Sequence, residues 1–236
     1  MTDLFAGWNE LILAFVLFFL SHIIPVRPPI REWLIRHIGK TPYLWAYSAL
    51  SIVLFGWIVV AVGRAPYMPL WQFAPWQMWV PNVAMPFVCL LLAFGIAIPN
   101  PLSIASRNDE AFDPDQPGIV GVTRHPMLWA TALWAFAHAV PKGDLAHVLL
   151  FGLLGAFSIL GMLAIDARKQ RILGAVEWRR LARRTSLVPF AALAVEESLS
   201  PSRKINLVRL AAAAALYVGF IALHKHVIGV SPFPPF

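Results

Sequence analysis

An all-α, polytopic membrane bundle of about six transmembrane helices is the fold class this sequence predicts. Composition is the first reason. Hydrophobic residues are 59% of the 236 and charged ones only 13%, about half the charged share of a soluble globular domain, and mean hydropathy is +0.68. The second reason is recurrence: apolar runs near the roughly 20 residues that a helix needs to cross a bilayer fall at about 5–25, 44–62, 80–98, 125–141, 145–165 and 205–224. The third is that Lys and Arg gather in alternate connections between these runs.

In chain order, the first run is free of Lys and Arg. Residues 1–10 lack them too, and no small-residue cleavage site follows, so the run is expected to stay as a span rather than leave as a leader. "PVRPPIREWLIRHIGK" then reads as a proline break and a short basic amphipathic segment at the membrane surface. Residues 63–81 form a Trp- and Pro-rich loop whose Trp71, Trp76 and Trp79 suit the headgroup belt. Residues 99–123 form a loop with the main acidic cluster, Asp109, Glu110, Asp113 and Asp115, expected to be solvated or paired with Arg107 and Arg124. No spacing there matches a calcium loop.

"DARKQRILGAVEWRRLARRTS" at 166–186 is expected to be a basic surface helix. Ile172, Leu173, Val176 and Leu181 recur at helical spacing, with the arginines turned to anionic headgroups. That job requires none of Glu177, Thr185 and Ser186. "LVPFAALA" at 187–194 is too short to cross and is expected at the interface. The sixth run must let Arg209 snorkel to the surface. Cys89 is the single cysteine, so no intramolecular disulfide framework is possible.

With the N-terminus outside, all basic residues except Arg64, Lys142 and Lys225 fall on the inner side, Arg203 and Lys204 among them. Both termini are therefore expected outside. The net charge of +7 is then largely topological, and nucleic-acid binding is not needed to explain it.

Ionisable side chains within spans are costly and point to function. Here they are histidines. His22 lies towards the inner end of the first span, in "LFFLSHIIP", and His138 towards the outer end of the fourth, in "WAFAHAVP". Neutral imidazole is a common ligand for haem iron and other metals. Trp134, Thr131 and Met127 share a helical face with His138, as Phe18, Phe15 and Leu11 do with His22, a flat apolar setting suited to a porphyrin edge. The bland alternative is a pair of interfacial histidines. "TRHP" has another logic. Pro126 takes the first helical position, which sets His125 by the exposed N–H groups of a helix start, and Arg124 adds a planar fork. Such a place suits a carboxylate or phosphate. The alternative is a snorkelling arginine.

"GVTRHPMLWATALWAFAHAVPKGD", "FLSHIIP" and "DARKQRILGAVEWRRLARRTSLVPF" resemble the NnrU membrane family and its plant relative, zeta-carotene isomerase, over about residues 5–195. The resemblance implies a single transmembrane domain over residues 1–236, with an extra C-terminal span at about 205–224. It implies a multi-pass protein of the bacterial inner membrane. It also implies a link to nitrite and nitric oxide reduction, or haem b-dependent cis–trans isomerisation of an apolar polyene. By motif, His22 and His138 match the isomerase's haem ligands. Its cysteine three residues before the second histidine is Ala135 here.

A more distant resemblance is to isoprenylcysteine carboxyl methyltransferases, in which an arginine-histidine-proline region helps enclose S-adenosylmethionine. It would give Arg124, His125, Glu177 and Arg180 that task. The tyrosines of that pattern are missing here, where Met127 and Leu128 follow the proline. A third class is a non-catalytic assembly factor for a membrane reductase. Depth raises one conflict. His125 and His138 are about 20 Å apart along one helix, so by depth His22 faces His125, whereas by resemblance it pairs with His138. The second pairing is the expectation adopted.

Overall fold

The described part of the chain is built on helices. The computed structural model describes residues 2–192 and 206–234, and no β-strand occurs among them; one isolated antiparallel bridge joins Pro69 and Asp144. The helices are α1 (Thr2–Ile23), α2 (Pro28–Ile38), α3 (Lys40–Arg64), α4 (Trp79–Gly95), the single turn α5 (Ile119–Val122), α6 (Pro126–Ala139), α7 (Leu145–Ala182) and α8 (Leu207–Ile228). Short 3-10 turns lie at Pro75–Met78 and Asp109–Ala111.

All six expected runs are helical. Among the described residues four helices are long and apolar enough to cross a membrane, or five if α1 and α2 count as one broken span, bent by 79°. The short run is α6: its 14 residues rise about 21 Å, less than the roughly 30 Å of a bilayer's hydrocarbon core. Large apolar side chains stay outward on the spans, as with Ile52, Val53, Val208 and Val218. Helices that close their own backbone hydrogen bonds and turn such faces outward have lipid as their solvent.

The chain divides into two compact units. The first comprises Met1–Trp71 with Gly143–Leu150. Here α1 and α3 pack through Leu11, Ala14, Phe15 and Phe18 on one helix and Ile58, Ala61 and Val62 on the other, each set spaced as one helical face. Gly7 permits the close approach at one end, since a Cβ there would lie 2.7 Å from the Arg64 carbonyl oxygen. Nearby, Glu10 accepts from Trp57 Nε1 and from Arg64. At the other end, α2 leaves its break with proline in its first turn, and the Tyr43 hydroxyl donates to the Pro25 carbonyl.

The second unit comprises Gln72–Lys142 and Phe151–Phe236. There α4 packs on both α6 and α8. On α6, Ala130, Ala132, Ala135 and Ala137 are all buried; they lie on two sides of the helix, and small residues let membrane helices approach and gain dispersion contact that lipid would otherwise supply. Cys89, Ala93 and Ala213 form the α4–α8 contact. Arg209 lies in the first turn of α8 and is half-buried. Its guanidinium turns back to cap α4, donating to the carbonyls of Ala93 and Ile96, acceptors that a helix end leaves unsatisfied.

The expected surface helix at 166–186 is the continuation of α7. It is interrupted at Gly174, which has φ 77° and ψ 161°. A left-handed φ of this kind favours glycine. A separate core of Leu102, Trp178 and Leu181, with Phe112, Leu173 and Ala182 around it, packs this end of α7 against the 96–118 loop. Of "LVPFAALA", residues 187–192 are described, with Phe190 N–H donating to the Val122 carbonyl. Its last two residues lie outside the described part, as do Arg203 and Lys204.

Candidate functional site

The densest polar arrangement lies where α6 begins. Pro126 starts the helix, and His125 precedes it in a non-helical conformation with φ −121° and ψ 64°, since the residue before proline is pushed out of the helical region. The chain on either side is held from two directions. Residues 185–190 run alongside: Arg124 N–H donates to the Ser186 carbonyl at 2.8 Å, and Thr123 Oγ1 and Trp129 Nε1 both donate to the Leu187 carbonyl. From the other direction Asn100 Nδ2 donates to the Arg124 carbonyl at 3.0 Å, while Asn100 Oδ1 accepts from Leu102 N–H.

This frame delivers two side chains to one carboxylate. Asp166, 22 residues into α7 by sequence, takes Arg124 on Oδ2 and His125 Nε2 on Oδ1, the latter at 2.9 Å. Arg124 also donates through Nε to Thr185 Oγ1 at 3.0 Å, and its guanidinium lies over the Trp178 ring, 4.9 Å from the centroid. His125 is fully buried, and its Nδ1 is 2.7 Å from Ser103 Oγ. Asp166 is acceptor-only when ionised, so Nε2 must carry a proton. Nδ1 then accepts the Ser103 hydroxyl proton, and the hydroxyl can reverse its role. Every member is satisfied, as a buried polar network requires.

A carboxylate does lie beside Arg124 and His125, that of the chain's own Asp166. Arg124 pairs with Asp166 rather than with the 109–115 acids. Among those, Asp115 pairs with Arg183 and Arg184, and Asp113 Oδ1 accepts from Asp115 N–H. Glu177 and Arg180 form a bidentate pair with each other, at 2.8 and 2.7 Å, on the surface. That pairing holds the Glu177 carboxyl below the usual range.

Sequence reading missed Ser103 and Asp166. Ser103 carries no signal in a polar loop. Asp166 could have been noticed as the lone acid at the boundary between an apolar run and a basic one. Thr185 and Ser186, set apart as unneeded by a surface helix, are the ones that hold Arg124.

The other two histidines have aromatic settings. His138 Nδ1 lies 2.8 Å from the Trp134 carbonyl, and its ring centroid is 5.4 Å from Trp134 and 5.7 Å from Phe151. His22 Nδ1 is 2.8 Å from the Phe18 carbonyl, with the Phe18 ring at 4.2 Å and the Tyr47 ring at 5.6 Å. Trp134 and Phe18 were legible as i−4 neighbours. Phe151 and Tyr47 come from other helices and were not. His22 belongs to the first compact unit, His125 and His138 to the second.

The NnrU protein family model matches residues 10–232, nearly the whole chain. The chain belongs to the NnrU family. None of the curated proteins or solved structures compared with this NnrU chain matches it. Among its described residues, no group of three or more His, Cys, Asp and Glu side chains is arranged to hold a metal ion.

Proposed function

We propose that this NnrU protein binds haem b in a bacterial inner membrane, with both termini periplasmic and with His138 as a residue that would hold the iron. The observation that carries this reading is the state of the His138 ring. A backbone carbonyl only accepts, so the 2.8 Å contact to Trp134 puts the proton on Nδ1 and leaves the Nε2 lone pair for iron. Second-shell bonds of this kind orient metal-bound histidines. Trp134 and Phe151 supply flat apolar surface for a porphyrin edge. His22 is held in the same tautomer by the Phe18 carbonyl, and the resemblance names it as the second ligand. His125 commits both nitrogens to Asp166 and Ser103.

Bound haem would supply an iron centre for nitrogen oxides or for one-electron chemistry. We read the protein as a haem-bearing component of nitrite and nitric oxide metabolism. The aromatic, apolar setting of His138 also favours a second reading, cis–trans isomerisation of an apolar polyene. An S-adenosylmethionine site at Arg124 would have to displace the chain's own Asp166 and Thr185 contacts.

An absorption spectrum of the detergent-purified protein, reconstituted with haem if necessary, tests the proposal. A Soret band is expected, and His138→Ala or His22→Ala removes it or shifts it strongly. His37 serves as the control: its Nδ1 also meets an i−4 carbonyl, that of Trp33, but the residue is exposed, and His37→Ala leaves the band unchanged. The haem reading fails if no preparation shows the band, or if His138→Ala leaves it intact.

A further inference from the structure

The sequence of α7 around its break repeats a short pattern. Ala167, Gln170 and Arg171 precede Gly174, and Ala175, Trp178 and Arg179 follow it, each triplet at i, i+3 and i+4 on one helical face. These six residues line a single open cavity of about 860 Å³. In an unbroken helix Arg171 and Arg179 would be about 12 Å apart along the axis. The non-helical Gly174 turns the second arm so that both arginines border the same space.

Each arginine is anchored alike. Arg171 Nε donates to the Ala167 carbonyl at 3.3 Å, and Arg179 Nε donates to the Ala175 carbonyl at 3.1 Å. Each guanidinium therefore keeps its four terminal N–H groups for something else. Nearby acids are already committed: Glu177 to Arg180, Asp115 to Arg183 and Arg184, and Asp166 to Arg124. Among the described residues neither Arg171 nor Arg179 has a carboxylate partner. Ile172 and Val176, next in sequence to the lining residues Arg171 and Ala175, are 65% and 77% exposed, apolar side chains on the same stretch of helix.

We propose that the elbow of α7 at Gly174 is a binding site for the phosphate headgroup of an anionic phospholipid. Arg171 and Arg179 contact the phosphate oxygens, Gln170 and the Trp178 side chain border the headgroup, and Ile172 and Val176 meet the acyl chains. Phosphate is the ligand that two guanidinium forks suit best. The exposed apolar pair indicates that it arrives on a lipid. This site does not depend on the haem reading.

Native mass spectrometry of the full-length protein in neutral detergent, titrated with phosphatidylglycerol or phosphatidylcholine, tests it. One phosphatidylglycerol per chain is expected, bound well ahead of phosphatidylcholine. The double variant Arg171→Gln/Arg179→Gln should weaken that binding about 30-fold, or about fivefold per arginine. Arg168→Gln, on the same helix but outside the cavity, should weaken it less than twofold. Both arginines of the pair are exposed, so their loss leaves the fold intact, and the lipid preference of the unaltered protein is a second readout. Equal affinity for the two lipids would overturn the proposal. So would an Arg168→Gln loss as large as the double variant's, which marks a diffuse basic face. Displacement of the lipid by millimolar inorganic phosphate would also overturn it, because the site would then recognise the free ion.

Discussion

Replacing Asp166 by Asn separates the charge of the cluster from its shape. The side chains of Arg124 and Asp166 are only 12% and 13% exposed, so water does little to screen the pair. An asparagine keeps an oxygen for His125 Nε2–H, but it sets an NH2 donor against the Arg124 guanidinium, leaving a buried cation with only Thr185 and the Trp178 ring. Breaking a buried ion pair from one side costs about 3–5 kcal/mol, because the remaining charge is uncompensated. Arg124→Met leaves the carboxylate instead, with His125 still donating to it, and should fall at the lower end of that range. Methionine fills much of the space over Trp178 and brings no charge. The double variant Arg124→Met/Asp166→Asn should therefore be less destabilised than the sum of the singles by about 2 kcal/mol or more. Reversible unfolding in mixed detergent micelles measures all four proteins. Single variants within about 0.5 kcal/mol of the parent, the ordinary range for surface changes, would refute the claim that this pair is buried and coupled. Strict additivity would refute it as well.

Two other expectations are independent of that cluster. Gly95→Ala brings a Cβ within 2.8 Å of the Pro126 ring, so α4 and α6 must part at a cost of about 1–3 kcal/mol; Gly56→Ala, where a Cβ meets nothing within 4 Å, should be neutral or slightly stabilising in the same unfolding assay. Reporter fusions after Lys169 should behave as cytoplasmic and fusions at the C-terminus as periplasmic, with the reverse result at either point breaking the proposed orientation with both termini outside.

The helices were legible because lipid imposes one strong rule: an unbroken apolar run must close its own hydrogen bonds. The α1–α2 break was equally visible in Pro25, Pro28 and Pro29. What could not be read was partnership across the chain. Nothing in the neighbourhood of Arg209 reveals that the carbonyls of Ala93 and Ile96, more than a hundred residues earlier, take its guanidinium as a cap. Arg124 looked set to meet an outside anion or the acidic loop, and only the fold brings Asp166 to it. Gly174 was hidden for a different reason. The periodicity of Ile172, Leu173, Val176 and Leu181 continues through it, so an apolar pattern recorded a helix where the backbone makes an elbow.

The opening of α6 and its far end carry the same residue in two chemical states, and the difference bears on which could meet iron. For His125 to ligate, Nε2 would have to leave Asp166 or Nδ1 would have to leave Ser103. The first choice strips a hydrogen bond to a charged group, worth about 1.5–3 kcal/mol, and the second leaves a buried hydroxyl at a cost of about 1–3 kcal/mol. Both distort a frame held by Asn100, Ser186 and Leu187. His138 gives up nothing of this kind. Its Nδ1–H stays on the Trp134 carbonyl, and that bond raises the basicity of the nitrogen left for the metal. Depth along the spans, about 20 Å of helix between the two residues, argues for His125 as a ligand, but His125 would have to break a buried network at a cost of several kcal/mol. Under the haem proposal that balance would favour His138 for iron, while His125 locks α6 to α7 and to the 96–118 loop.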